Sequence, residues 1–216
     1  MKERLKNAKG FTLIELAIVL VIIGIILGAV LKGQELINNA KAKRVVNDSC
    51  GLVALAYTFY DRYGRFPGDC NANGTVNYAN ATATPTTFAA TATPEFCYPP
   101  VINTALPNHQ WNELLQAQLL SGIPRDLAKN LYNGAMYFAG LTSGGVVYNA
   151  IMQRQIPCYA AKMLDKNIDG SLDAGLGSIR EKYVNAFRTT TNAWTNCTAS
   201  ESTLVDVVYL FDKTPN

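Results

Sequence analysis

Leu16 to Leu31 form a run of sixteen residues without a charge, starting within the first twenty positions of a 216-residue chain. Adding Phe11 to Ile14 brings the apolar stretch to about 20 positions, roughly one bilayer core if helical. Glu15 is the single charge inside it. A composition of 49% hydrophobic and 16% charged residues is compatible with one domain of sizeable core plus a membrane-facing part. The run supplies that part. Lys2, Arg4, Lys6 and Lys9 stand against Glu3 before it, so subtracting these from totals of 19 and 16 leaves 15 basic and 15 acidic residues after Gly10. A basic start and a neutral remainder predict a single pass with the N-terminus cytoplasmic and the bulk of the chain outside. No basic patch argues for nucleic acid as a partner.

Three readings compete for this segment. A secretory signal needs a small-residue cleavage site after the run, and Gly28-Ala29-Val30-Leu31-Lys32 is a poor one. An ordinary anchor leaves Glu15 unexplained, although a carboxylate at membrane depth costs on the order of 2 to 3 kcal/mol. The third reading uses the residues as they stand. Lys9-Gly10-Phe11-Thr12-Leu13-Ile14-Glu15 has a glycine, an aromatic, and a glutamate five positions beyond the glycine, all in register with the apolar run.

This resembles the cleavage motif of type IV prepilins and type II secretion pseudopilins. The resemblance implies a structural subunit in the bacterial inner membrane, cut after Gly10 on the cytoplasmic side by a prepilin peptidase and N-methylated at Phe11. It implies as partners an inner-membrane assembly platform and, in a periplasmic or extracellular filament, copies of the chain or sibling subunits. A physical role for Glu15 follows. Cleavage creates an α-amino group of reference pKa about 7.7 to 8, positively charged near neutral pH, and Glu15 can neutralise it on a neighbouring subunit.

No proline occurs before Pro67. Leu36, Ile37, Ala40, Val46, Cys50, Val53, Tyr57 and Tyr60 recur mostly every three or four residues. One helix is therefore expected from Phe11 to about Tyr63, roughly 80 Å at about 1.5 Å per residue. Gly24-Ile25-Ile26-Leu27-Gly28 inside it fits a close helix-packing motif. Gly64 and Pro67 mark its stop. The expected organisation is a leader at 1–10, a membrane and filament helix at 11–32, an amphipathic continuation at 33–64 and a globular domain at 65–216.

Tyr60 to Asp69, His109 to Leu115 and Leu164 to Gly170 look like blocks of a subgroup of prepilin-like proteins. Within the globular part, residues 71–100 are rich in Ala, Thr, Asn and Pro and read as a long exposed loop. Trp111 to Leu120 reads as a short helix. Ala135 to Ala139, Val146 to Ile151 and Thr203 to Phe211 read as strands. Strands after one long helix predict an α+β fold with a small antiparallel sheet packed on that helix.

Five cysteines in a domain outside the membrane point to an oxidising compartment. Two pairs can be drawn from them in about fifteen ways. Cys70 with Cys97 would close the Thr-rich loop, and Cys158 with Cys197 would tie down the C-terminal part. Cys50, the odd one, reads as a small buried hydrophobe.

Asp165, Asn167, Asp169 and Asp173 present oxygens at loop positions one, three, five and nine, with Gly170 at six, as in a calcium loop. Leu176 stands where a bidentate glutamate belongs. Asp69 to Gly74 has a similar cadence. Ca2+ is thus the one cofactor expectation, and related pseudopilins use it in their C-terminal regions. No catalytic set can be built around His109, the single histidine, so the expectation is not an enzyme. The alternative to a filament subunit is a minor, tip or membrane-retained binding module for a surface, DNA or a secreted substrate.

Overall fold

The computed structural model describes residues 11–91, 97, 106–184, 186–190 and 193–215. Helix α1 runs from Leu13 to Tyr63, 51 residues with no internal proline. The chain divides into two compact units, Met1–Ala40 and Lys41–Asn216. In the first, the apolar side chains from Leu13 to Leu31 are exposed on every face of the helix. A helix apolar all round needs lipid or other apolar helices as its surroundings.

In the second unit, the remainder of α1 buries Ala42, Val45, Ser49, Leu52, Ala56 and Phe59. Their spacings alternate between three and four, so they share one face. This stripe lies one residue N-terminal to the face expected from Val46, Cys50, Val53, Tyr57 and Tyr60. The cause is small and polar residues that hydropathy undervalues. Ala42, Ser49 and Ala56 let the helix approach the sheet closely. The Ser49 hydroxyl is satisfied by donating to Val45 O at 2.8 Å and accepting from Gln153 Nε2 at 3.0 Å. Cys50 is consequently exposed, not a buried hydrophobe.

The stripe packs on a five-stranded antiparallel sheet, with β1 Met136–Ser143, β2 Val146–Pro157, β3 Ile179–Tyr183, β4 Ala186–Phe187 and β5 Leu204–Leu210 in the order β1-β2-β5-β3-β4. Gly144 and Gly145, at φ 58° and 79°, supply the two left-handed positions of the tight β1–β2 turn. A bulge shifts β2 between Gln153 and Ile156. There the Asp206 carboxylate accepts from Gln155 N–H at 2.9 Å and from Arg154 Nε at 3.1 Å. The fold is α+β.

Helices α2 His109–Gln116, α3 Pro124–Leu127 and α4 Cys158–Ile168 complete the unit. Leu52, Ala56 and Phe59 join Trp111, Leu114, Phe138 and Ile151 in one core. Val45 joins Ile156, Leu164, Ile179 and Trp194 in a second.

The loop expected to be exposed is packed over its described part, 71–91. Val76, Tyr78, Ala81, Ala83 and Phe88 are buried in the first core. Gly140 N–H donates to Tyr78 O at 2.9 Å, and Tyr137 OH donates to Asn80 O at 2.8 Å. The loop crosses β1 so closely that a Cβ on Gly140 would lie 1.9 Å from Val76 O. Ala81 and Ala83, read as loop composition, are small side chains buried in that core.

Candidate processing and assembly site

At the start of α1, Leu16 N–H donates to Thr12 O at 3.3 Å, which makes Thr12 the N-cap. The Glu15 carboxylate Oε2 accepts from Thr12 N–H at 2.8 Å and from Thr12 Oγ1 at 2.7 Å. Glu15 N–H donates back to Thr12 Oγ1 at 3.3 Å. This is a reciprocal capping box, which satisfies backbone donors that helical bonding leaves open. Phe11 precedes it with its ring exposed. Gly10 lies outside the described residues. Both bonds to Thr12 use the same carboxylate oxygen of Glu15, while an ionised carboxylate has about four acceptor positions. The geometry can therefore hold Glu15 at the helix start and still offer negative charge to a cation nearby.

The remaining candidate residues lie in the second unit. Cys70 and Cys97 form a disulfide with Cα atoms 4.7 Å apart, and Cys158 and Cys197 form another at 5.6 Å. Asp165 is not in a loop. It sits in the last turn of α4, fully buried, with Oδ2 accepting from Trp194 Nε1 and from Asp173 N–H, each at 2.9 Å. Its Oδ1 is buried without a hydrogen-bond partner. Burial, with Asp169 and Asp173 nearby, pushes the Asp165 carboxyl up to about 6 against the pull of Trp194.

Asp169 caps the start of β3 by accepting from Ser178 N–H at 2.9 Å and Ile179 N–H at 2.7 Å. Asp173 accepts from Gly175 N–H at 2.9 Å and Leu176 N–H at 3.1 Å. Asn167 is exposed and donates to Met163 O at 2.7 Å. The structure thus brings the three aspartates together as acceptors for backbone N–H groups and leaves Asn167 on the helix surface. Asp69 likewise closes its own turn, accepting from Gly74 N–H at 2.9 Å.

Sequence reasoning missed a buried ion pair. Arg65 donates to Glu113 Oε2 at 2.9 Å and Oε1 at 3.0 Å, and Gly68 N–H donates to the same Oε2 at 2.8 Å. The pair joins the chain just after α1 to α2. Its signal was weak, since Arg65 is one of four charges in Tyr60–Asp69, while Glu113 is the one acidic residue in His109–Leu115. His109 opens α2, buried, with Nδ1 accepting from Leu106 N–H at 3.2 Å.

No curated protein matches the chain. Residues 5–31 match the family model described as the prokaryotic N-terminal methylation motif. That match spans Glu15 and the whole apolar run to Leu31, and it supports a structural protein. This prepilin-type motif at the head of a long apolar helix is consistent with a type IV pilin-like, membrane-anchored protein.

Proposed function

We propose that the chain is a filament subunit, a pilin or pseudopilin, cut after Gly10 by prepilin peptidase at the inner membrane. The new amine of Phe11 is methylated and stays charged, since a secondary amine is still basic. The subunit packs helix to helix with copies or siblings in a periplasmic or extracellular filament. The observation that carries this reading is Glu15, held by Thr12 at the start of a helix whose following side chains are apolar and exposed. Among apolar neighbours a lone carboxylate is costly, and the Phe11 amine of the adjacent subunit neutralises it. Removing one partner of such a pair costs about 3 to 5 kcal/mol. Glu15→Ala is expected to abolish incorporation into sheared filaments, with expression and cleavage intact. Normal incorporation and spacing would remove Glu15 from the assembly role.

A second proposal concerns calcium at residues 165–173. Its support is the unpartnered, buried Oδ1 of Asp165 beside Asp169 and Asp173. Millimolar calcium is expected to raise the melting temperature over that in chelator, and Asp165→Asn to remove the response. An indifferent wild-type chain would leave the cluster as a backbone clamp alone.

A further inference from the structure

An open groove of about 250 Å3 lies between α1, α2, α3 and the start of β1, lined by Leu52, Leu55, Trp111, Leu120, Leu127 and Met136. Pockets that enclose drug-sized ligands start at about 300 Å3, so this groove suits a protruding side chain better. Trp111 is 1% exposed, and its indole Nε1 has no hydrogen-bond acceptor among the described residues. A buried donor without a partner is costly, which favours an occupant that brings an acceptor. Asp48 also lines the groove, and its carboxylate is held only by Arg44 Nε at 3.7 Å, in a pair open to solvent.

The turn between β3 and β4 carries the complement. Tyr183 pairs with Ala186 across the hairpin, which places Val184 in the tight turn. Val184 has φ 49°, a left-handed conformation that a β-branched residue adopts only at a cost. Glycine or asparagine would fit there with less strain. The tip nonetheless holds two large apolar side chains in solvent, with Tyr183 56% and Val184 67% exposed. They therefore do not fill the groove of their own chain. Strain kept at an exposed apolar tip points to a contact made outside the chain. Lys182, beside the tip, forms no ion pair among the described residues.

We propose that the β3–β4 tip of one chain docks in the α1 groove of a second copy. Val184 and Tyr183 enter among the leucines, a backbone carbonyl of the tip accepts from Trp111 Nε1, and Lys182 meets Asp48. This rests on the filament reading above and adds to it a contact between the globular parts of neighbouring subunits. Tip and groove are different surfaces, so the contact is heterologous: each copy offers its tip to the next and accepts the tip of the one before. Such a contact adds subunits without limit unless its rotation closes a ring. Two side chains in a small groove fall short of the about 1,000 Å2 that a stable interface buries. The contact therefore acts among copies that their apolar helices already hold at high effective concentration.

The test uses the full-length chain in its native membrane and in sheared filaments. Two differently tagged copies are expressed together, one with Val184→Cys and the other with Leu120→Cys, each also carrying Cys50→Ser, and are oxidised briefly. The expected result is a disulfide joining the two tags, at least about tenfold above that from either cysteine variant placed in both tagged copies. Val184→Asn removes the apolar knob but suits the turn, so it should leave the melting temperature unchanged or higher while lowering recovery in sheared filaments about tenfold. Asp48→Lys and Lys182→Glu should each lower recovery and, combined in one chain, restore it. Filaments that form without the cross-link, or Val184→Asn filaments as abundant as wild type, would overturn the docking and leave the filament reading intact. A wild-type chain missing from sheared filaments would overturn the filament reading instead, and the same cross-link in the membrane fraction then decides the docking by its presence or absence.

Discussion

Glu113→Gln removes the charge opposite Arg65 while keeping the shape of the side chain. Arg65 is buried with its guanidinium on both carboxylate oxygens, and Gly68 N–H bonds to the same group. Breaking one side of a buried pair costs about 3 to 5 kcal/mol, because the remaining charge stays buried without compensation. For a domain of this size each kcal/mol moves the melting temperature by about 2 to 4 °C, so a fall of roughly 6 to 20 °C is expected. The assay is thermal and urea unfolding of a fragment beginning at Lys41, which contains both cores and both disulfides.

The double replacement Arg65→Met with Glu113→Leu separates the cost of an orphaned charge from the net worth of the pair. With neither charge left to strand, the remaining cost is the orphaned Gly68 N–H, so the double variant is expected to lose about 1 to 3 kcal/mol, less than the single one. A single variant costing under about 1 kcal/mol, or a double variant as unstable as the single, would refute the argument that the pair is a desolvated clamp.

Asp165 gives a pH prediction. Its carboxyl is raised from 3.8 to about 6 in the folded chain, so the fold binds this proton more tightly than the unfolded chain does. The associated stability is full below about pH 4 and is lost as pH rises through about 6, up to about 3 kcal/mol in all. Unfolding of Asp165→Asn measured in chelator between pH 4 and 7 should show a flatter profile and a more stable neutral form; an unchanged slope would contradict the assignment. Gly140→Ala forces a Cβ against Val76 O and is expected to cost more than about 2 kcal/mol or abolish folded expression, read by yield and melting. A stable Gly140→Ala chain would mean the 71–91 crossing is not fixed in place.

The apolar run, its basic flank and the motif from Gly10 to Glu15 were legible because each is contiguous in sequence. The end of α1 was legible too, since Gly64 takes a left-handed conformation at φ 69° and its N–H donates to Tyr60 O at 2.7 Å. The face of α1 that packs was misread, because burial there follows Ala42, Ser49 and Ala56, chosen for closeness and for the bond to Gln153. α4 was hidden under the cadence of a cation loop, although Pro157 followed by Cys-Tyr-Ala-Ala-Lys-Met-Leu is an ordinary helix opening. β3 and β4 are short and carry Arg180, Glu181 and Lys182, so alternation gave no signal. The Arg65–Glu113 pair joins residues 48 positions apart, and local pattern does not reveal such a pairing.

The central claim is that proteolysis supplies the positive charge that makes Glu15 tolerable among apolar helices. N-terminal mapping by mass spectrometry of the protein from its native membrane and from sheared filaments tests it most directly. A terminal peptide starting at N-methylated Phe11, absent when the prepilin peptidase is deleted, is the expected result. A chain that keeps Met1 or its processed equivalent in both fractions, or that starts beyond Leu31, would contradict the account.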